Sequence, residues 1–362
     1  MPLMWPDNRL TTLFGIEHPI ILAPMAGAMD AELAAEVSEA GGLGSLPCAM
    51  LTPAHLRDQF AKIRARTDKP VNVNFFCHTA PALNNARETR WRDRLKSYYE
   101  ELGIDPSAPV PTSNRAPFDP TFCDVIEDLK PEVVSFHFGL PAADLLRRVK
   151  SVGCRVISSA TTVAEAVWLE RHGVDAVIAQ GFEAGGHRGM FLADDISLQV
   201  GTIALVPQVA DNVTVPVIAA GGIGDARGIA GAFALGASGV QIGTAYLHCP
   251  EAKISAPHRS AMRSARDDAT AVTNLMTGRP ARGFINRIMR EIGPISDVAP
   301  EFPLAAGALA PLRMKAELEG SGDFSPMWSG QAAALGGEIA AGELTKKLAV
   351  EARRRLQRLA AP

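Results

Sequence analysis

Eight short apolar runs, set apart by stretches with helical spacing, constrain the fold of this 362-residue chain more than any other feature. They occupy residues 19–25, 42–46, 70–76, 132–138, 154–158, 175–180, 216–220 and 239–244. Each is strand length, rich in Val and Ile, and apolar at consecutive positions, as a strand buried on both faces of a parallel sheet must be. The stretches between them carry helix signals. Residues 31–40 end at Gly41 and Gly42, Thr52 precedes Pro53 at the start of 53–66, and 225–235 closes on Gly236. Eight strands alternating with helices predict an α/β fold, a closed (β/α)8 TIM barrel. A doubly wound open sheet is the alternative, and the count of eight favours the barrel.

Two stretches break the alternation. Residues 78–129 hold a charged amphipathic helix over 85–102 and a proline-rich loop. The chain is thus expected to divide into a barrel over 1–248, a helical insertion or cap over 249–320, and 321–362, a C-terminal helix packing back on the barrel.

Composition narrows the function classes. With 36 basic and 39 acidic side chains the net charge is -3, which gives no electrostatic case for nucleic acid or an anionic membrane. The five cysteines include no CxxC pair, so neither a zinc ribbon nor a dithiol centre is supported, and no metal is expected. No apolar stretch is long enough for a membrane span and the N-terminus has no signal core, so a cytoplasmic protein is expected. A homo-oligomer is compatible with all of this.

In a barrel of this kind, chemistry gathers where strands end. The seventh run ends in Ala220-Gly221-Gly222-Ile223-Gly224-Asp225 and the eighth in Gln241-Ile242-Gly243-Thr244. Glycines at two adjacent edges let backbone N–H groups approach a phosphate; alternatively they only make tight turns and Asp225 only caps a helix. The sixth run leads into Gln180-Gly181-Phe182-Glu183-Ala184-Gly185-Gly186-His187-Arg188-Gly189. This loop aims an imidazole into the barrel mouth, where His187 would serve as acid, base or hydrogen-bonding group. The other reading is a surface histidine in a turn. Arg188 is either a partner for a substrate anion or a solvated arginine. His137, at the end of the fourth run, is either functional or a satisfied core residue. Asn72 and Asn74 share one face of the third run, and Asn74 is the one near the top. Met25 and Ala26, ending the first run, offer only backbone and apolar contact. P-loop, HExxH, GxSxG and paired-carboxylate patterns are missing. An apolar mouth, a phosphate site and one histidine suit a bound organic cofactor.

The segments APMAGAMDAELAAEVSEAGGLGSL, VNVNFF, SFHFG, AQGFEAGGHRG, PVIAAGGIGDARG and GVQIGTAYL together resemble the nitronate monooxygenases, once called 2-nitropropane dioxygenases, and their bacterial class I branch in particular. The likeness continues through TGRPAR and SGQAA. It implies a cytoplasmic, detoxifying flavoprotein with FMN across the barrel mouth. The phosphate would lie on Gly222 and the turn Gln241, Ile242, Gly243 and Thr244. Asn74, Gln180 and Gly185 match flavin-contacting positions, with Met25 and Ala26 near the ring. His187 matches the family's active-site histidine, and His137 would lie on the substrate side. The implied reaction passes one electron from an alkyl nitronate to FMN and consumes dioxygen, yielding a carbonyl compound and nitrite. Propionate 3-nitronate is the substrate by analogy, with Arg188, Arg279 or Arg313 on its carboxylate. One departure is visible: Phe302-Pro303-Leu304 stands where family members often carry tyrosines. The alternative within the same architecture is an FMN-dependent NAD(P)H:quinone or enoyl reductase.

Overall fold

The computed structural model describes residues 4–82, 84–111 and 115–360. After a short helix α1 (Arg9–Phe14) the chain alternates through β1 (Ile20–Leu22), α2 (Ala31–Glu39), β2 (Gly44–Pro47), α3 (Pro53–Arg64) and β3 (Val71–Phe76). Helices α4 (Asn85–Glu101) and α5 (Pro120–Leu129) lead to β4 (Val133–His137), α6 (Ala143–Ser151), β5 (Arg155–Ala160), α7 (Val163–Arg171) and β6 (Ala176–Gln180). Then come β7 (Gly186–His187), α8 (Thr202–Ala210), β8 (Val217–Ala220), α9 (Ala226–Ala234), β9 (Gly239–Ile242) and α10 (Thr244–Leu247). The remainder forms α11 (Ala256–Arg263), β10 (Thr270–Thr273), β11 (Ala281–Phe284), α12 (Arg287–Ile292), α13 (Ala305–Leu318) and α14 (Ala341–Ala360).

Each of the eight apolar runs supplies one strand of a parallel sheet ordered β1-β9-β8-β6-β5-β4-β3-β2. The ends of that order meet. Leu22 N–H donates to Leu43 O, and Leu43 N–H to Ile20 O, both at 2.9 Å, which bridges β1 to the start of β2 and closes the cylinder. The result is a (β/α)8 barrel, as expected. Its inside is filled by Ile21, Val133, Ile157, Ile178 and Ile218, and its N-terminal end is plugged by Leu10 and Phe14 of α1. Full burial of side chains this size stabilises by about 1.5–3 kcal/mol each, which keeps the bottom shut and leaves the opposite end for function. The caps read from sequence are present: Thr52 accepts from His55 N–H, and Asp225 accepts from Arg227 and Gly228 N–H at the head of α9.

Residues 249–320 differ from the helical addition expected of them. They contain β10 and β11, an antiparallel pair to which the two residues of β7 add a third strand. The β-branched stretch Thr270–Thr273 favours an extended chain, and its pairing partners arrive from far along the sequence, which local periodicity does not register. The insertion after β3 joins this region. Trp91, Leu95 and Tyr99 of α4 share a second core with Ile288 of α12 and Leu309 and Leu312 of α13. Trp91 Nε1 donates to Ala305 O at 3.2 Å and Tyr99 Oη to Ala308 O at 2.5 Å. The terminal helix starts only at Ala341, because residues 325–332 first cross the barrel mouth; Ala361 and Pro362 lie outside the described residues. Among the described residues no helix is long and apolar enough to cross a membrane.

Candidate active site

A cavity of about 540 Å³ opens at the C-terminal end of the barrel, where strand carboxyl ends and βα loops converge. Its glycine-rich end is walled by Gly221, Gly222, Gly243 and Thr244. Asn74, Gln180 and Gln241 form its floor with Met25 and Ala26 beside them. At the other end stand Phe76, Arg115, His137, His187, Arg313 and Trp328. Of the residues singled out from sequence, Met25, Ala26, Asn74, Gln180, Gly185, Gly222, Gln241, Gly243, Thr244, His137 and His187 therefore all meet in one cavity. Ile242 does not line it; its side chain is buried in the core, and its carbonyl accepts from Ala23 N–H at 2.8 Å. Asn72 lies one layer below, fully buried, with Nδ2 donating to Ser45 Oγ at 2.9 Å.

His187 owes its place to the loop around it. Its carbonyl accepts from Gln180 Nε2 at 3.0 Å and from His137 Nε2 at 3.2 Å. His137 accepts from Ser159 Oγ on Nδ1 at 3.0 Å, so both of its ring nitrogens are engaged. Strand β7 pairs His187 with Ala281 of β11, and Arg188 N–H donates to Pro280 O at 2.9 Å. The His187 ring stands among Phe76, Phe138, Phe302 and Trp328, with ring centres 5.3–6.1 Å away. Burial first, and then the positive charge of Arg115 and Arg279, hold its pKa well below the ordinary histidine value. His137, also buried, is pushed down to about 3, and His78 to about 4. The imidazoles of this site are neutral at physiological pH, and its positive charge is carried by guanidinium groups.

The arginines separate clearly. Arg188 is fully buried and directed away from the mouth. It donates to Gly181 O and Gln180 O, both at 2.8 Å, and to Gln199 Oε1 at 3.0 Å. That corrects its candidacy for a substrate carboxylate: the guanidinium is used up in fastening the loop. Arg279 lies behind the aromatic wall, 4.0 Å over the Phe138 ring and hydrogen-bonded to Met190 O. Arg313 lines the cavity, and its Nε is buried without a hydrogen-bond partner among the described residues. Arg115 joins it there. Nothing in the sequence marked Arg115, which comes from the proline-rich insert rather than from a strand end. Trp328 was missed for the same reason, being carried by the crossing segment.

Glu183 was also overlooked, although it lies inside the histidine loop. Its carboxylate accepts from Thr202 N–H at 2.8 Å and from Thr202 Oγ1 at 2.8 Å, which caps α8 and supports the turn at Gly222. Its carbonyl accepts from Gln331 N–H at 3.0 Å, and Gly330 N–H donates to Thr244 Oγ1 at 2.9 Å. The crossing segment is thereby fastened to the histidine loop and to the glycine edge after β9.

The residues present fit a flavin mononucleotide. Gln241 Oε1 is buried with no partner among the described residues, an acceptor in the cavity wall that a ligand donor would satisfy. Gly221 and Gly222 turn with φ of +108° and +70°, conformations that need glycine. At Gly185 a Cβ would lie 2.6 Å from Gly330 N, so the backbones can approach only without one. The cavity thus brings together glycine turns, three amide side chains and the apolar β1 edge.

Fold and site together define a (β/α)8-barrel enzyme with its reaction centre at the C-terminal mouth. The nitronate monooxygenase family model matches residues 7–351. The nitronate monooxygenase of Pseudomonas aeruginosa is 44% identical over 350 residues, covering 96% of this chain and 99% of that protein. That of Paraburkholderia phytofirmans is 41% identical and covers 97% of each. Among solved structures, the nitroalkane oxidase of Streptomyces ansochromogenes superposes with a TM-score of 0.88 at 35% identity, covering 98% of this chain and 100% of that one. FabK from Thermotoga maritima gives a TM-score of 0.75 at 32% identity, with 99% of each covered. The chain belongs to the nitronate monooxygenase family and is an oxidoreductase.

Proposed function

We propose that the protein oxidises alkyl nitronates with dioxygen, giving a carbonyl compound and nitrite, and that FMN is its cofactor. The observation that carries this reading is the aromatic-caged His187 lining one cavity with the glycine turns at Gly222 and Gly243. Gly222, Gly243 and Thr244 would hold the phosphate, Asn74, Gln180, Gly185 and Gln241 the ribityl chain and ring edge, and Met25 and Ala26 one ring face. Bound there, FMN supplies the electron acceptor for the nitronate and the path to dioxygen.

The chain's own groups do the rest. Phe76, Phe138, Phe302 and Trp328 exclude water, which strengthens every charge interaction inside. Arg115 and Arg313 give the mouth the permanent positive field that an anionic substrate needs. His187 offers a hydrogen bond to the nitronate oxygens. With a neutral nitroalkane it takes the α-proton instead. His137 acts through His187, whose carbonyl it holds. A carboxylated nitronate such as propionate 3-nitronate suits the two arginines, and removal of a reactive nitro compound is the corresponding physiological role. Five unpaired cysteines support a cytoplasmic location.

Replacement of His187 by Asn in enzyme that keeps its flavin tests the assignment. Turnover is expected to fall roughly 100-fold or more on neutral nitroalkanes and less on nitronates. Equal turnover of wild type and variant on both substrates would remove His187 from the chemistry.

A further inference from the structure

The two nitrogens of His187 have different surroundings. Nε2 lies 2.9 Å from Thr277 Oγ1. Nδ1 has no protein partner among the described residues and is not buried without one, while the residue lines the cavity. Thr277 itself is 1% exposed and stands behind the imidazole, outside the cavity lining. Its hydroxyl makes no other side-chain hydrogen bond among the described residues.

The turn that carries Thr277 is held on both sides. Asn274 Nδ2 donates to Ser296 O at 2.7 Å, and Asn274 Oδ1 accepts from Ser296 N–H at 2.9 Å. Gly278 N–H closes the turn on Asn274 O at 2.7 Å. Gly278 has φ +92°, and a Cβ there would lie 2.1 Å from Pro300 O. The same close approach brings Phe302 against the His187 ring. A hydroxyl so fixed can serve only the one nitrogen it faces, but as either donor or acceptor.

We propose that Thr277 is a positioning residue that holds Nε2 of His187 with a two-way hydroxyl, reserving Nδ1 for the substrate as either a bare acceptor or an N–H donor. The inference rests on the function proposed above and assigns which atom of the site performs it. For a nitronate, Thr277 Oγ1–H donates to Nε2 and Nδ1–H donates to a nitronate oxygen. For a neutral nitroalkane, Nε2–H donates to Thr277 Oγ1 and Nδ1 carries the lone pair. The α-proton then passes to Nδ1, the C–H electron pair becomes the carbon–nitrogen π bond of the nitronate, and the N=O π pair moves onto oxygen. The imidazolium so formed keeps its Nε2–H on the threonine oxygen. One neutral imidazole thereby serves both substrates with no second base. Burial keeps His187 neutral at rest, so tautomer rather than charge distinguishes the two resting states.

T277V and T277S, purified with flavin bound, test the proposal with nitroethane and ethyl nitronate as probes. T277V should lower kcat/KM for nitroethane roughly 10- to 100-fold, the size expected for one hydrogen bond to a group that becomes charged. Ethyl nitronate, which needs no proton removed, should lose only a few-fold. T277S should restore nitroethane turnover. Nitrogen-15 spectra of histidine-labelled enzyme, with the His187 signals assigned by difference from H187N, should show a shifted Nε2 resonance in T277V alone. Unchanged nitroethane kinetics in T277V, or equal losses on both substrates with flavin retained, would overturn the positioning role. Should wild-type enzyme turn over neither substrate, the proposed function fails, and the spectra judge Thr277 separately: an Nε2 resonance identical in T277V and wild type rejects the contact.

Discussion

Gln180 grips the loop of His187 at two points: its Nε2 donates to the His187 carbonyl at 3.0 Å, and its Oε1 accepts from Gly189 N–H at 2.7 Å. An amide is the side chain that can do both at once. Gln180→Glu keeps the size but removes the donor while placing a charge in a buried floor. It should cut kcat/KM for nitronates by roughly 100-fold, the size expected of an active-site group displaced by about 1 Å. Steady-state nitrite release is the measurement.

Arg188 tests the division of labour among the arginines. Because its guanidinium satisfies two carbonyls and the Gln199 amide, Arg188→Ala should destabilise the fold by about 3 kcal/mol or more. Chemical denaturation followed by tryptophan fluorescence measures it. A substrate-binding arginine would leave the midpoint unmoved.

Arg313, by contrast, belongs to the wall of the cavity. Arg313→Leu should raise KM for propionate 3-nitronate about 10-fold or more, the size of one lost charge-assisted hydrogen bond, and leave KM for ethyl nitronate, which lacks the carboxylate, within a few-fold. Equal effects on both substrates would place the carboxylate elsewhere.

The glycine cradle predicts cofactor retention. Gly185→Val puts side-chain atoms where Gly330 N now stands 2.6 Å from any Cβ, so the variant should purify with little flavin. The ratio of visible to ultraviolet absorbance reads this directly.

Acid stability follows from the buried histidines. His137 and His78 are pushed down to about 3 and about 4 from an ordinary 6.5, by burial above all. Below 6.5 the unfolded chain therefore binds more protons than the folded one. Stability is fully present above about pH 6.5 and is lost as pH falls toward those folded-state values, at up to about 1.4 kcal/mol per pH unit for His137. Tm between pH 8 and 4.5 should be flat at first and then fall, and His137→Gln should flatten the fall.

The barrel was readable because strand burial on both faces writes itself as consecutive apolar residues, and eight such runs were countable. Most of the mouth was readable too, since strand ends follow from strands: Asn74, Gln180, His187 and the edges at Gly222 and Gly243 came from that logic. Arg115 and Trp328, and Thr277 behind His187, did not, because they sit on segments outside the alternation and are placed by contacts between distant parts of the chain. The hairpin of β10 and β11 was hidden for the same reason: its third strand is two residues of the histidine loop. Arg188 was misjudged because a glycine-rich loop suggests solvent, whereas this one folds over its own arginine.

The most direct test of the function is to mix the flavin-loaded enzyme anaerobically with an alkyl nitronate and, separately, with NADH or NADPH, following visible absorbance. Expected is rapid loss of the oxidised-flavin bands with the nitronate, none with either nicotinamide, and nitrite release once dioxygen is admitted. Bleaching by NADH or NADPH with no response to the nitronate would contradict the account and turn the same barrel into a reductase.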